Sequence, residues 1–296
     1  MLSKRPRRLA SPWGGTASDV RANPAGARAS GGALHAVLVA LLVVLAVDAG
    51  ATTLRVLTLN LRANHDKPGE REAVIRRELK KLGADLLFFQ EVAAPAARQV
   101  ERVLPKGFTV VHRQNPDTGR GLAIASRHPI ESSESRVLPG GRPALLAVIR
   151  VGKRRIAALN VHLRPQLDAT RARVRELEAA RDWLDSAGPL GILAGDVNFG
   201  DGAPENAALK GLVDSFRARQ RRAAGFTWDT RRNPLAQSNG YATEKSRRLD
   251  RILLRGPLRP LRSSIVLARP FRAADGQRWC PSDHYAVLSS IKVPRR

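Results

Sequence analysis

The chain predicts an α/β domain of two sheets with helices packed outside them. Short apolar runs that read as β-strands outnumber the runs with helical spacing. About 245 residues remain once an N-terminal segment is set aside, a size that fits one large domain better than two small ones. With 43% hydrophobic residues, such a domain can bury a real core. More strands than helices favours sheet packed on sheet, with helices on the outer faces.

The elements follow from local pattern. Leu54 to Asn60 is partly alternating and β-branched, so it reads as a strand. Glu70 to Leu82 carries Val74, Ile75, Leu79 and Leu82 at helix spacing, and Gly83 stops it. Asp85 to Gln90 reads as a buried strand ending in Gln90-Glu91. Gly121 to Ser126, Ala144 to Val151 and Ile156 to His162 follow as strands. Asp168 to Ser186 is a helix with Val174, Leu177 and Leu184 on one face. Leu190 to Asp196 is a strand that stops at Asn198-Phe199-Gly200, and Leu249 to Leu254 and Tyr285 to Val293 are late strands. Arg217 to Ser246, polar and turn-rich around Trp228 and Tyr241, reads as a long functional loop rather than core.

Residues 1–32 are rich in Arg, Gly, Ala, Pro and Ser and read as disordered or as a long n-region. Ala33 to Val47 is apolar except for His35, short for a membrane span and suited to a signal-peptide core, with Ala49-Gly50-Ala51 as a cleavage pattern. The expected division is a leader over residues 1–51 and a catalytic domain over 52–296. Export with cleavage is expected; an uncleaved membrane anchor, or a cytoplasmic protein with a misplaced start, are the alternatives. The single cysteine, Cys280, excludes an intrachain disulfide and reads as a small apolar residue rather than a catalytic thiol. Net charge is +25; six Lys/Arg against two Asp in residues 1–48 leave +21 on residues 49–296. That balance suits a polyanion, with nucleic acid expected and an anionic membrane surface the alternative. Nothing in the chain points to a protein partner, and a monomer is expected.

Acid, amide and imidazole side chains gather at the strand ends, the raw material of metal-assisted phosphoryl transfer. Glu91 at the end of an apolar strand fits Mg²⁺, which takes one or two protein carboxylates and keeps several waters; Asn60 would supply an amide oxygen nearby or touch phosphate. Asp196 and Asn198, two apart at a strand end, would share one face, one orienting or deprotonating water and the other donating to developing charge on phosphorus; a turn is the competing reading. His284 reads as the proton-handling group, with Asp250 fixing its tautomer and Asp283 left to help the metal. His162 would donate to a phosphate oxygen, and Trp228 would stack on a flat group or pack beneath its loop.

Taken together and in order, Asn60, Gln90-Glu91, Val161-His162-Leu163, Gly195-Asp196-Val197-Asn198, Arg248-Leu249-Asp250-Arg251-Ile252 and Pro281-Ser282-Asp283-His284 resemble the endonuclease/exonuclease/phosphatase superfamily over roughly residues 53–294. That superfamily includes pancreatic deoxyribonuclease, abasic-site endonucleases, neutral sphingomyelinases and inositol-polyphosphate 5-phosphatases. The resemblance implies a four-layer α/β sandwich of two mainly antiparallel sheets flanked by helices, and Mg²⁺- or Mn²⁺-dependent phosphoester cleavage. Asn60, Glu91 and Asp283 would serve the metal; Asp196, Asn198, His162, Asp250 and His284 would be catalytic. The C-terminal third, with Thr227-Trp228-Asp229-Thr230 and Asn233, is most similar to the tyrosyl-DNA phosphodiesterase 2 branch, which implies that Trp228 lines a DNA-end pocket. One departure stands out: that branch has an Arg where this chain has Gly200, so the phosphate contact is missing or falls to Arg247 or Arg248. The expected activity is a phosphodiesterase at nucleic-acid ends; an exported sphingomyelinase- or phosphoinositide-type enzyme is the alternative, and a non-catalytic polyanion-binding module the third.

Overall fold

The computed structural model describes residues 52–63, 66–115, 118–238 and 243–295, so the leader and Tyr241 lie outside the described residues. The chain begins with β1 (Thr52–Asn60), α1 (Pro68–Leu82), β2 (Leu86–Ala93), α2 (Ala96–Val103), β3 (Thr109–Gln114) and β4 (Arg120–Ser126). β5 (Ile130–Val137), β6 (Pro143–Val151) and β7 (Arg154–His162) come next, and α3 (Thr170–Ser186) crosses to β8 (Gly191–Asp196). A 3₁₀ turn at Pro204–Leu209 precedes β9 (Val213–Asp214), α4 (Ser215–Arg219), the one-turn α5 (Pro234–Ala236), β10 (Asp250–Arg255) and β11 (Arg259–Val266). A small hairpin, β12 (Phe271–Arg272) and β13 (Arg278–Trp279), leads to β14 (Ala286–Val293).

The large strands form two six-stranded sheets, ordered β11-β14-β1-β2-β4-β3 and β5-β6-β7-β8-β10-β9. Each is antiparallel except for one parallel pair, β1 with β2 and β7 with β8, the pairs joined through α1 and α3. Period-two alternation gives every inner strand two apolar faces. Leu54, Val56, Leu86 and Phe88 of one sheet meet Ile156, Ala158, Ile192 and Ala194 of the other in a core between the sheets. On the outer faces, Leu57, Leu59, Leu87 and Phe89 pack on Ile75 and Leu79 of α1 and Val100 and Val103 of α2. Leu159, Val161 and Leu193 pack on Leu177, Ala180 and Leu184 of α3. Helix, sheet, sheet and helix make the expected α/β sandwich. α1 opens with Pro68 in its first turn, where no backbone donor is needed, and closes on Gly83 at φ 57°, whose N–H donates to Leu79 O.

Four strands of the two large sheets lie beyond the expected set, and one expected loop contributes to the core. Strands β3, β5, β9 and β11 carry no clear apolar pattern in the sequence, and all four lie at sheet edges. An edge strand covered on few sides keeps polar residues; every residue of β5 after Ile130 is exposed. Where described, the segment from Arg217 to Ser246 is largely irregular, as expected of a long loop, but part of it is core. Trp228 and Ala236 join Leu249 in a small buried cluster. Asp229 Oδ1 caps the turn at Arg231 and Arg232, and Trp228 bridges by backbone to Arg247 and His284.

Candidate active site

The same alternation that builds the inter-sheet core turns polar at the strand ends. Continuing the inner faces, Thr58 and Asn60 follow Val56, Gln90 follows Phe88, Asn160 and His162 follow Ala158, and Asp196 follows Ala194. Because both parallel pairs end on one side, Asn60 pairs in register with Gln90 and His162 with Asp196. β10 runs antiparallel to β8, so Asp250 at its start lies opposite Asp196. β14 runs antiparallel to β1, which brings the Ser282-Asp283-His284 approach to the end of β1, where Ser282 Oγ donates to Asn60 O at 2.7 Å. Asn233 Nδ2 holds that approach by donating to Ser282 O and Asp283 O at 2.9 and 3.0 Å.

A polar bridge joins the sheets beneath the site. Gln90 Nε2 donates to Asn160 Oδ1 at 2.7 Å, and Asn160 Nδ2 donates to Phe89 O and Ala123 O at 2.9 Å each. The bridge underlies a β-bulge: the β2–β4 register shifts between Phe89 and Val92, and Glu91 takes φ 48°. Strict alternation would aim Glu91 at the helices with Phe89; the bulge re-aims it into the cleft. Asn198 is also reached by a turn. β8 ends at Asp196, Asn198 has φ 58°, its N–H donates to Asp196 Oδ1 at 3.0 Å and its Nδ2 to Leu163 O at 2.8 Å. The period of two therefore does not carry Asn198; the competing turn is present, and it brings Asn198 to the cleft wall. Gly195, at φ 141°, is required because a Cβ there would collide with Val161 O.

Asp196, Asp250 and His284 are buried, and each offers a ligand atom within 4.8 Å of the others, close enough to hold a metal ion. His284 Nδ1 lies 2.8 Å from Asp250 Oδ2, and its Nε2 lies 3.8 Å from Asp196 Oδ2. His162 Nε2 approaches the same Asp196 oxygen at 3.5 Å, and Asn60 Nδ2 donates to it at 3.1 Å. Burial lowers the pKa of His284, but the Asp250 and Asp196 carboxylates outweigh it and raise the value to about 10. The two carboxylates thus favour the protonated form of His284. Burial, with Arg142 and His284 nearby, drives His162 well below its ordinary value, so it is neutral. Burial also raises Asp196 to about 7. The neighbours of the two imidazoles push their pKa values in opposite directions.

This cluster opens on a cleft of about 1040 Å³ whose walls include Glu91, Asn198, Trp228 and Asp283, and the arginines Arg62, Arg120, Arg142 and Arg247. Trp228 is only 6% exposed, its ring 5.0 Å from that of His284, so it is a wall rather than a free platform. Arg142 escapes sequence reasoning. Its Nε donates to His162 O at 2.8 Å, which leaves its other nitrogens to the cleft; among the chain's 51 Lys and Arg nothing local marks it. The expectation for Arg248 is corrected. It is 1% exposed, engaged by Asp201 and by Asp214 at 2.8 Å, and is not among the residues lining the cleft. Its neighbour Arg247 takes that place, its side chain lying across Gly200, where an added Cβ would sit 3.5 Å from Arg247 Cγ. Cys280 is buried and its thiol is pushed up to about 11 by burial, which makes it inert.

The donor set fits a hard divalent cation. Glu91, Asp196 and Asp283 give carboxylate oxygens around one cleft, and buried Asp250 Oδ1 has no hydrogen-bond partner; Asn60 turns its Nδ2 toward Glu91 and Asp196, while its Oδ1 accepts from the Arg62 N–H. Glu91 Oε2 is 3.1 Å from Arg120 Nη1, and Asp283 Oδ2 is 2.9 Å from Arg62 Nη1, so guanidinium groups balance both carboxylates.

The architecture is shared with solved structures. A D. rerio TDP2 complexed with single strand DNA product superposes with a TM-score of 0.70 at 20% identity, covering 82% of this chain and 100% of that one. A truncated Caenorhabditis elegans TDP2 gives 0.68 at 20%, covering 81% and 98%. A Bacteroides thetaiotaomicron VPI-5482 mannosyl-6-phosphatase, Bt3783, gives 0.67 at 18%, covering 80% and 99%. At these identities the likeness is one of fold. A search of curated protein sequences finds no match. The Endonuclease/Exonuclease/phosphatase family pattern matches residues 57–284, most of the chain, and the protein belongs to that family of phosphoester hydrolases.

Proposed function

We propose that this chain is a Mg²⁺- or Mn²⁺-dependent phosphodiesterase acting at nucleic-acid ends. The observation that carries the reading is the arginine-lined cleft opening directly onto the Asp196–Asp250–His284 cluster. Arg142, held by a carbonyl rather than by a carboxylate, suits a phosphate, and the +21 charge outside the first 48 residues supports a polyanionic substrate. The D. rerio TDP2 that shares this fold is complexed with a single-stranded DNA product, which favours the same substrate class here.

In this reading Glu91 and Asp283 would hold the cation, with Asn60 Nδ2 steadying Glu91, and a bound cation would polarise the phosphoryl oxygens. Asp196, fixed by Asn60 and by the Asn198 N–H, orients the attacking water and takes its proton. His284, oriented by Asp250, donates from Nε2 to a non-bridging phosphate oxygen. His162 and the Arg142 guanidinium, tied together at the His162 carbonyl, steady the same phosphate from the opposite wall. Asn198 presents its backbone turn beside them, and Trp228 excludes water behind His284. The leader, residues 33–51, is proposed to export or anchor the enzyme.

A second reading, a sugar- or lipid-phosphate esterase, is favoured by that apolar leader and by the mannosyl-6-phosphatase that shares the fold. One panel separates the two: 5′-tyrosyl and plain single-stranded oligonucleotides, sphingomyelin and phosphoinositide vesicles, and mannose 6-phosphate, each with Mg²⁺, Mn²⁺ or chelator. Metal-dependent oligonucleotide cleavage is expected. Turnover of the lipids or sugar alone would overturn the substrate, and turnover untouched by chelator would overturn the metal.

A further inference from the structure

Arg62 is the second residue after Asn60, and its position is unusual for a long cation. It is 6% exposed, stands in the left-handed region at φ 55°, and forms part of the cleft wall. A non-glycine residue holds that backbone only when its surroundings over-determine it. Here they do. Its N–H donates to Asn60 Oδ1 at 3.0 Å, Nη1 meets Asp283 Oδ2 at 2.9 Å, and Nη2 meets Asp66 Oδ2 at 2.7 Å. One guanidinium therefore bridges two carboxylates at the margin of an oxygen-rich cleft.

Bridging two carboxylates beside a first metal is what a second divalent ion does in two-metal phosphoryl-transfer sites, where the ions lie roughly 3.5–4 Å apart. Fixed positive charge in that place opposes a second cation, and it occupies the Asp283 oxygen that such an ion would need. The other oxygen, Oδ1, is 3.1 Å from Ser282 Oγ. We infer that Arg62 is a built-in cation that takes the place of a second metal, restricting the centre to one divalent ion and holding Asp283 in position by its side chain. This rests on the proposed metal dependence. It makes Arg62 a positioning residue, since it acts on Asp283.

Mn²⁺ stoichiometry in the full chain, read by calorimetry and by electron paramagnetic resonance of free ion, tests this without activity. Wild type is expected to bind one Mn²⁺. Arg62→Gln, which removes the guanidinium from Asp283 and Asp66, is expected to bind a second, and Asp66→Asn in that background to lose it again. Arg62→Lys keeps the charge and is expected to stay at one. Two ions in wild type, or one in a folded Arg62→Gln, would overturn the inference while leaving metal dependence standing. No Mn²⁺ in any form would overturn both. Should Arg62→Gln melt below the assay temperature, the wild-type stoichiometry and Arg62→Lys still decide: two ions in either sinks the idea.

Discussion

Replacing Asn160 by Leu removes the polar bridge between the sheets and puts a larger apolar side chain of the same branching in its place. Asn160 is fully buried and makes three short hydrogen bonds, accepting from Gln90 Nε2 and donating to Phe89 O and Ala123 O. Each such bond is worth about 0.5–1.5 kcal/mol net, and a buried group left without its partner costs about 1–3 kcal/mol. Gln90 retains its contact with Thr58 Oγ1 at 3.2 Å, which limits its share. The two carbonyls at the bulge have no such relief from Leu. The added apolar burial offsets part of the loss, so the expected destabilisation is about 3 kcal/mol, or roughly 6–12 °C in Tm for a domain of this size. Urea unfolding followed by Trp fluorescence measures it. Activity should fall further than stability explains at a temperature where the variant is folded, because the bulge that aims Glu91 rests on this bridge. A loss below about 1 kcal/mol with unchanged kcat would refute the reasoning that the bridge holds the site.

Other substitutions sort the roles. Asp250→Asn keeps the shape but removes the charge that holds His284, so kcat on an oligonucleotide substrate should drop about 10²- to 10⁴-fold with KM nearly unchanged. A rate within a few-fold of wild type would remove His284 from its assigned place. Arg142→Met should lower kcat/KM by about 10²- to 10³-fold without a matching loss of Tm, the size expected for one charged donor to the transition state. Arg248→Met should behave the opposite way. It removes a buried cation from Asp201, which keeps Arg217 at 2.6 Å, and from Asp214, which keeps Arg251 at 3.8 Å; with Asp201 39% exposed, the cost is discounted to about 1–3 kcal/mol, read by chemical denaturation. Its KM should stay close to wild type once the protein is folded; a large rise in KM would restore Arg248 to the substrate.

Legibility in the sequence followed burial. The eight strands interior to the two sheets are readable because both faces are covered, so each is a run of apolar residues with a polar end. Those polar ends are the candidate site, which is why Asn60, His162, Asp196, Asp250 and His284 can be picked out together. The edge strands β3, β5, β9 and β11 hide because one side meets water and the pattern dissolves. Glu91 and Asn198 are legible as residue types but not as directions. Each depends on a positive φ, 48° and 58°, that no periodicity announces.

The arginines mark the deeper limit. Arg247 and Arg248 are adjacent in sequence and chemically identical, yet one lines the cleft and the other is sealed beneath Asp201 and Asp214. The choice follows the acids: Glu244 engages Arg247, and Asp201 and Asp214 draw Arg248 the other way. In a chain with 51 basic residues against 26 acidic ones, the scarce carboxylates decide where guanidinium groups come to rest. The acids of the site draw Arg120 to Glu91 and Arg62 to Asp283. Arg142 is the exception: it is held by a main-chain carbonyl rather than an acid, and so keeps donors facing the cleft for a phosphate. By that logic Arg62 and Arg120 position carboxylates and Arg142 is the arginine proposed to contact substrate, so Arg62→Gln and Arg142→Met should separate into a change in metal binding and a change in kcat/KM.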